Sequence, residues 1–428
     1  MLGLIKKTVN SFHKRGGFHI FISTIFLRVI QFILGVLIIR LLTKEDYGNL
    51  SYAITITQLI VPFSGAGLFL SLLHFAPIQN DLNDKVNLLN FTIKRGFLYS
   101  LIVSGLIIGL AQLVAMRMPG SVIYLRLFSI YIISYFLFQT AVSFLRVLKR
   151  NKAYAAALLL NSILILILSL LGVFLSNGVG YTIGFSLAPA VTAIVVFVAI
   201  KKKEKIDFKV YDKIKELPVK ISDYTQYGIF AGLGNIASQM AWQLDTVMIG
   251  VLLAQSTMVA TYKVAALIPF SLIFIPSVFM QTDFVYIAEK YENKKYLINY
   301  YKKYLFIFSV IVITILTVWY IFSGSIIGLF GSEYIDALPI INILMINVAS
   351  TFLFRVPLGN ILAAVGKAKW NSWSAIILLL INFILNYFLI PKYGITGAAY
   401  ATVISISLSS AVSMVLFIKY LNGLKQIE

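Results

Sequence analysis

Ionisable side chains inside long apolar stretches are the residues of this sequence whose positions point most directly to chemistry. Arg28 lies about ten residues into the first apolar stretch, and Asp245 lies about nineteen residues into the seventh. Lys263 stands near the start of the eighth stretch, and Arg355 lies just after the apolar run of the tenth. A charged group at the centre of a bilayer costs about 2.5 kcal/mol or more, so each of these side chains needs a partner, a hydrated cavity or a function.

Three of these side chains are cationic, which suits the binding of an anionic substrate. The permanently charged guanidinium of Arg28 suits bidentate contact with an oxyanion. We therefore predict a cationic cleft in which Arg28, Lys263 and Arg355 bind substrate. The alternatives are structural: a buried pair or a backbone-carbonyl contact for Arg28, a pair with Asp245 for Lys263, and an interface anchor for Arg355.

Asp245 is predicted to be an ion-coupling residue, because a carboxylate within a membrane can bind H⁺ or Na⁺. The alternative for Asp245 is a hydrogen bond between helices or a pair with Lys263. His74, which can titrate near neutral pH, and Asp283 are further candidates, although both positions also suit ordinary polar residues at the ends of spans.

Other kinds of chemistry are excluded by composition. The chain has no Cys, and its three His are too scattered in the sequence to indicate a zinc centre. Gly65–Gly67 and Gly232–Gly234 resemble nucleotide-binding fragments, but the Lys-Ser/Thr of a P-loop is missing. These glycines instead suit close helix packing or a hinge. We therefore expect no cofactor beyond a coupled H⁺ or Na⁺.

The elements that position these residues are predicted to be membrane-spanning helices. Apolar residues make up 60% of the 428 residues and charged residues only 12%, and the mean hydropathy of the whole chain is +0.91. This composition indicates an all-α polytopic membrane protein. Twelve apolar windows of about 20 residues cover residues 18–42, 50–74, 97–116, 122–145, 153–175, 180–200, 226–251, 258–285, 304–325, 338–358, 372–391 and 396–418.

The distribution of Lys and Arg predicts the orientation of these spans. If the N-terminus is cytoplasmic, 29 of the 36 Lys and Arg lie in cytoplasmic segments, five lie outside and two lie within spans. Short loops with this bias follow the positive-inside rule, so both termini are predicted to be cytoplasmic. The net charge of +20 then indicates contact with membrane lipid, and no nucleic acid partner is expected.

Two halves with six spans each flank a basic, amphipathic segment. We predict an N-terminal half at residues 1–200, a cytoplasmic linker at 201–224 and a C-terminal half at 225–428. Lys152 and Lys369 are 217 residues apart, and so are Gly180 and Gly397. The offset predicts a parallel repeat about an axis along the membrane normal, unless it reflects chance similarity between apolar segments.

Four motifs carry a resemblance to a known family: Arg40–Gly48, Asp245–Gly250, Leu329–Tyr334 and Leu389–Thr402. The last has the pattern of an extended exit, a turn and a helix start rich in small residues. Together they resemble the Wzx (RfbX) type of polysaccharide-repeat flippase, in the multidrug/oligosaccharidyl-lipid/polysaccharide (MOP) exporter superfamily.

The resemblance implies a V-shaped bundle of two six-helix halves in the cytoplasmic (inner) membrane of a bacterium. Its substrate would be an undecaprenyl-diphosphate-linked oligosaccharide, moved to the outer leaflet by alternating access for O-antigen, capsule or exopolysaccharide assembly. A polysaccharide polymerase machinery is the implied protein partner.

Other functions fit the sequence less closely. A multidrug or cation antiporter of the same superfamily should favour acidic cleft residues over Arg28, and a lipid II flippase often has more than twelve spans. A membrane glycosyltransferase, polymerase or ligase typically needs a large external loop, whereas the longest one here has about a dozen residues around 331–339. A structural scaffold would leave Arg28 without a purpose. We therefore expect a transporter and not an enzyme.

Overall fold

The computed structural model describes residues 17–204 and 219–424. The chain divides into two compact units, residues 1–239 and 240–428, and the division falls inside one helix. Most of the predicted basic linker, residues 205–218, lies outside the described residues. The proposed linker boundaries at 201 and 224 therefore stay a prediction.

Unit 1 is built from helices whose apolar side chains pack around a core that includes Leu89, Phe144 and Tyr224. Side chains define two of the helix starts as N-caps: Thr43 accepts a hydrogen bond from the Asp46 amide, and Asp81 accepts one from the Asn83 amide. The helices are α1 (Gly17–Leu41), α2 (Lys44–Ile60), α3 (Leu68–Phe75), α4 (Leu82–Val114), α5 (Val122–Val147), α6 (Asn151–Glu204) and the first part of α7 (Ile221–Leu253).

Unit 2 contains the rest of α7 and six further helices. A π-helical turn, Thr351–Arg355, joins two of them within one membrane-length segment. The helices are α8 (Ser256–Leu272), α9 (Phe274–Glu289), α10 (Lys294–Gly328), α11 (Leu338–Ser350), α12 (Val356–Ala364) and α13 (Ala368–Gly423).

The described helical stretches equal the predicted spans in number. Eight described helical segments are long and apolar enough to cross a membrane. Two of them, α6 and α13, have 54 and 56 residues, about 80 Å if straight, which exceeds twice the hydrocarbon thickness. Each instead folds back at one internal break, so each supplies two spans. With α1 and α7, the described ranges hold twelve helical stretches.

The two long helices reveal the predicted internal repeat. The break in α6 is at Asn177 (φ 50°, ψ −133°) and the break in α13 is at Gly394 (φ 60°, ψ −143°). These residues are 217 apart, as are the first residues of the two helices, Asn151 and Ala368. The offset found in the sequence is therefore confirmed as a structural repeat.

The two arms of α6 and the two arms of α13 form hairpins, and the arms come closest at positions that are also 217 residues apart. A Cβ at Gly180 would overlap the carbonyl oxygen of Gly172, and a Cβ at Gly397 would overlap that of Leu389. Glycine is thus required at both positions for the arms to pack at this distance.

Two segments differ from the local predictions. The extended exit expected within Leu389–Thr402 is wrong: α13 stays helical through Pro391, because Gly394 alone supplies the reversal. The second span is also interrupted, since residues 61–67 form an irregular 3₁₀ segment with left-handed Gly65, Ala66 and Gly67. Gly67 packs against the Gly228 carbonyl in the same unit, as the packing interpretation of these glycines predicted.

Candidate functional site

A buried carboxylate in unit 2 is surrounded by hydrogen-bond donors. Asp245 is only 7% exposed. Its Oδ2 accepts a hydrogen bond from the Tyr262 hydroxyl at 2.5 Å and another from the Thr402 hydroxyl. Its Oδ1 accepts from the amides of Asn382 and Asn386 at 3.2 and 2.7 Å. We call these five residues the Asp245 cluster. Its donors compensate the cost of burying a carboxylate within the membrane.

The hairpin of α13 explains how these donors meet. Asn386 and Thr402 are each eight residues from Gly394, on antiparallel arms, so they lie at the same level. Asn382 is one helical turn before Asn386, which places both amides on one face of the first arm. The Asn386 amide also donates to Asn382 Oδ1 at 3.0 Å.

The cluster contains one buried oxygen that has no partner. Asn386 Oδ1 is buried and makes no hydrogen bond within the part of the chain described. An unpaired buried acceptor costs about 1–3 kcal/mol, so it marks a place for a donor or a cation. Carboxylate, amide and hydroxyl oxygens are ligands for hard cations. With a single negative charge, this oxygen set suits H⁺ or a monovalent cation such as Na⁺.

Lys263 lies beside the Asp245 cluster in sequence and in space, but it does not neutralise the carboxylate directly. Its ammonium is half-buried and donates to Gln243 Oε1 at 2.9 Å. The predicted pair between Asp245 and Lys263 is thus replaced by neutral donors around Asp245 and a neutral acceptor for Lys263.

Arg355 occupies a different level of unit 2. It ends the π-helical turn, is half-buried and donates to Asn371 Oδ1 at 3.0 Å. Asn371 lies eleven residues before Asn382 on one helical arm, which corresponds to about 16 Å. The structure therefore does not bring Arg355 into one site with Lys263.

The remaining predicted site residues have separate surroundings. Arg28 is exposed on α1 in unit 1. His74 is exposed at the end of α3 and stacks on Tyr227, with ring centroids 4.3 Å apart. Asp283 is half-buried and accepts a hydrogen bond from the Tyr300 hydroxyl at 2.9 Å. The functional roles of these residues stay predictions.

Sequence reasoning missed Asn382, Asn386 and Thr402 as members of the cluster. A signal was present, because two amides four residues apart in an apolar span lie on one helix face and need partners in hydrocarbon. The internal repeat sharpens that signal. The residues 217 positions earlier in unit 1 are Ile165, Ser169 and Phe185, so the polar cluster is a property of unit 2 alone.

Comparison with known proteins places the sequence in a family. Residues 13–282 match the family described as "Polysaccharide biosynthesis protein", which is well over half of the chain. A segment of 109 residues is 34% identical to the uncharacterized membrane protein MJ1068 of Methanocaldococcus jannaschii. That segment is 25% of this chain and 21% of the relative, so the match spans about a fifth of the relative's length.

Solved structures of the MOP superfamily share the fold. A lipid II flippase MurJ in an inward closed conformation matches with a TM-score of 0.75 at 19% identity, covering 94% of this chain and 89% of that one. An inward-facing multidrug resistance MATE family transporter matches with a TM-score of 0.74 at 13% identity, covering 94% and 96%. A MOP superfamily transporter from Pyrococcus furiosus matches with a TM-score of 0.61 at 15% identity, covering 96% of each chain.

At these identities the structures establish the fold and not the substrate. The flippase and the drug transporter are about equally similar, so the fold alone does not choose between them. The predicted MOP-type fold is confirmed, and the family match extends across unit 1 and into unit 2. This chain is a multi-pass membrane protein with the fold of MOP-superfamily transporters, and it belongs to the polysaccharide biosynthesis protein family.

Proposed function

We propose that this protein is a Wzx-type flippase that moves a polyprenyl-diphosphate-linked oligosaccharide repeat unit from the cytoplasmic to the outer leaflet. The observation that carries the proposal is the family match over residues 13–282. The longest polar stretch of the sequence, residues 201–223, is too short for a soluble catalytic domain. Transport of a glycan intermediate therefore suits a member of this family better than glycan synthesis does.

The proposed energy source is a cation, H⁺ or Na⁺, bound at Asp245. The Asp245 carboxylate hydrogen-bonds to side chains of α8 and of both arms of α13. A bound cation would compete with these donors for the same oxygens, so occupancy would change how α7 is tied to its neighbours. A ligand that binds two arrangements with different affinity shifts their populations, which is what coupling requires.

The diphosphate of the substrate is proposed to bind to cationic side chains. Arg28 is exposed, and its guanidinium can form paired hydrogen bonds with phosphate oxygens. Lys263 is held by a neutral acceptor and adjoins the Asp245 cluster. Arg355 is the third proposed contact. Because it lies at a different level of unit 2 from Lys263, it would bind the diphosphate at another stage of substrate movement.

The proposed location is the cytoplasmic (inner) membrane of a bacterium with both termini in the cytoplasm, supported by the positive-inside bias of the loops. The glycan would then be delivered to the outer face. A polysaccharide polymerase acting on that face is the proposed protein partner.

Complementation of a bacterium that lacks its own repeat-unit flippase tests the proposal. Wild type should restore surface polysaccharide, whereas Arg28→Ala and Asp245→Asn should not, at matched membrane levels. Arg126→Ala is the control, because Arg126 is exposed on α5 and is not among the residues proposed to bind the diphosphate or the cation. The proposal fails if wild type restores no polymer in several repeat-unit backgrounds and instead exports cationic dyes.

A further inference from the structure

A second group of charged side chains lies at the end of α13 remote from Asp245. Lys367 immediately precedes α13, and Lys419 lies four residues before the end of this helix. The fold at Gly394 brings these two ends together. The Lys367 Nζ lies 5.4 Å from the centroid of the Trp370 ring, and the Lys419 Nζ lies 5.8 Å from the same centroid.

The Trp370 ring therefore has a lysine ammonium from each end of α13 within 6 Å of its centroid. Within residues 17–204 and 219–424, neither Lys367 nor Lys419 forms an ion pair with a carboxylate. Lys369 is exposed beside them. Arg355 bonds to Asn371, the residue that follows Trp370. Repulsion among these cations is relieved when an anion binds between them.

Acidic residues do reach this end of unit 2, but they do not pair with the two lysines. Tyr420, next to Lys419, donates to the Tyr291 carbonyl at 2.8 Å. That bond places Glu292 on the same side of the unit. The cations at Trp370 consequently keep an excess of positive charge.

Aromatic side chains indicate that this group lies at the boundary of the membrane. Trp370 is half-buried, and Trp373, one helical turn further on, is 64% exposed. The membrane-length segment begins at Lys369. Indole rings concentrate at the depth of lipid headgroups, and basic pockets between helices at that depth bind phosphate-bearing headgroups.

We propose that Lys367, Trp370 and Lys419 form a binding site for the headgroup of an anionic phospholipid. The anionic headgroup is attracted to both ammonium groups, which the Trp370 ring keeps at this end of unit 2. Because the lysines stand at opposite ends of α13, a bound lipid ties the two arms of the hairpin together. Lys367, Trp370 and Lys419 are separate from the residues proposed to bind the cation, and Arg355, bonded to the neighbouring Asn371, is a nearby side chain also proposed to contact substrate.

Native mass spectrometry of the purified, delipidated full-length protein tests the proposal. The probes are phosphatidylglycerol, phosphatidylcholine and inorganic phosphate. Wild type should bind one phosphatidylglycerol in preference to phosphatidylcholine. The Lys367→Gln/Lys419→Gln variant should bind it about 30-fold more weakly, since each lysine near a membrane surface contributes about fivefold.

Two variants control for charge and folding. Lys392 lies 5.2 Å from the Tyr393 ring at the other end of the hairpin, so Lys392→Gln should bind phosphatidylglycerol like wild type. Lys367→Arg/Lys419→Arg keeps both charges and should also bind. The proposal is overturned if the double Gln variant binds like wild type, if Lys392→Gln loses as much affinity, if phosphatidylcholine binds equally well, or if inorganic phosphate displaces the lipid.

Discussion

Asn386 and Thr402 stand on opposite arms of one helical hairpin, each eight residues from Gly394, and both donate hydrogen bonds to the carboxylate of Asp245. The reversal at Gly394 and the contact at Gly397 set the separation of the arms. A single carboxylate in α7 is thereby coupled to the packing of α13. This relationship makes the backbone geometry at Gly394 and Gly397 a determinant of the proposed cation site.

Removing one donor tests whether the Asp245 cluster stabilises the fold. We expect Asn386→Ala to lower the free energy of unfolding by about 1–3 kcal/mol, because a buried carboxylate loses a 2.7 Å hydrogen bond. Ser169→Ala changes the equivalent position of unit 1, where the hydroxyl has no partner within the described ranges, and should cost little. Thermal unfolding in one detergent compares the two. Equal losses of stability would contradict this assignment.

The left-handed turn at Gly394 should tolerate substitution by asparagine but not by valine. Asn177 adopts nearly the same φ and ψ in the equivalent turn of unit 1. Gly394→Asn should therefore fold with little loss, whereas Gly394→Val should lose about 1–3 kcal/mol, because a β-branched residue is strained at positive φ. The midpoint of thermal unfolding and the yield of monodisperse protein report the difference. If Asn and Val were tolerated equally, the turn would not be limited by backbone strain.

The spacing of the α13 arms should control cation binding. A Cβ at Gly397 must push away the Leu389 backbone, which separates Asn386 from Thr402. If wild type binds the ion, Na⁺ or low pH should raise its melting temperature. We expect the same ion to raise the melting temperature of Gly397→Ala by less.

The control for that experiment is Gly180→Ala, which introduces the same backbone overlap in unit 1 without touching Asp245. Its ion-dependent rise in melting temperature should match that of wild type. An identical response in both variants would show that the hairpin does not shape the cation site.

In unit 1, Tyr224 connects the start of α7 to two neighbouring helices. Its hydroxyl lies 2.7 Å from the Thr92 hydroxyl, and its carbonyl accepts a hydrogen bond from Ser71 at 2.6 Å. Tyr224→Phe removes only the first of these contacts. We expect a loss of about 1 kcal/mol in unfolding free energy, with no change in ion-dependent stabilisation. A large change in the ion response would contradict the confinement of the cation site to unit 2.

Much of this fold could be predicted from the sequence, because a helix that crosses the bilayer needs about 20 mostly apolar residues. Apolar windows of bilayer length gave the twelve helical stretches, and the 217-residue offset gave the repeat. Hydropathy did not locate the break after Ile60, because it does not register a change of backbone conformation. The available signal was the glycine pair Gly65 and Gly67, which suited a hinge.

The candidate site was predictable only in part. Asp245 stood out because a carboxylate is rare in an apolar span. Its partners Asn382 and Asn386 lie 137 and 141 residues further along the chain. A neutral amide in an apolar span is also a weaker sign of a functional site than a charged side chain. In the sequence, Arg355 and Lys263 are both cations at the edge of an apolar span. The fold places them at different levels of unit 2, and a position along the chain does not specify that level.

Translocation in proteoliposomes tests the central claim most directly. Purified protein would be reconstituted with a polyprenyl-diphosphate-linked oligosaccharide, and the transfer of glycan between leaflets would be measured with an imposed Na⁺ gradient, with a pH gradient and with neither. We predict that wild type transfers the glycan, that one of the two gradients accelerates the transfer, and that Asp245→Asn abolishes the acceleration while the protein stays folded. No transfer by folded wild type under any gradient, or an unchanged gradient response in Asp245→Asn, would contradict the account.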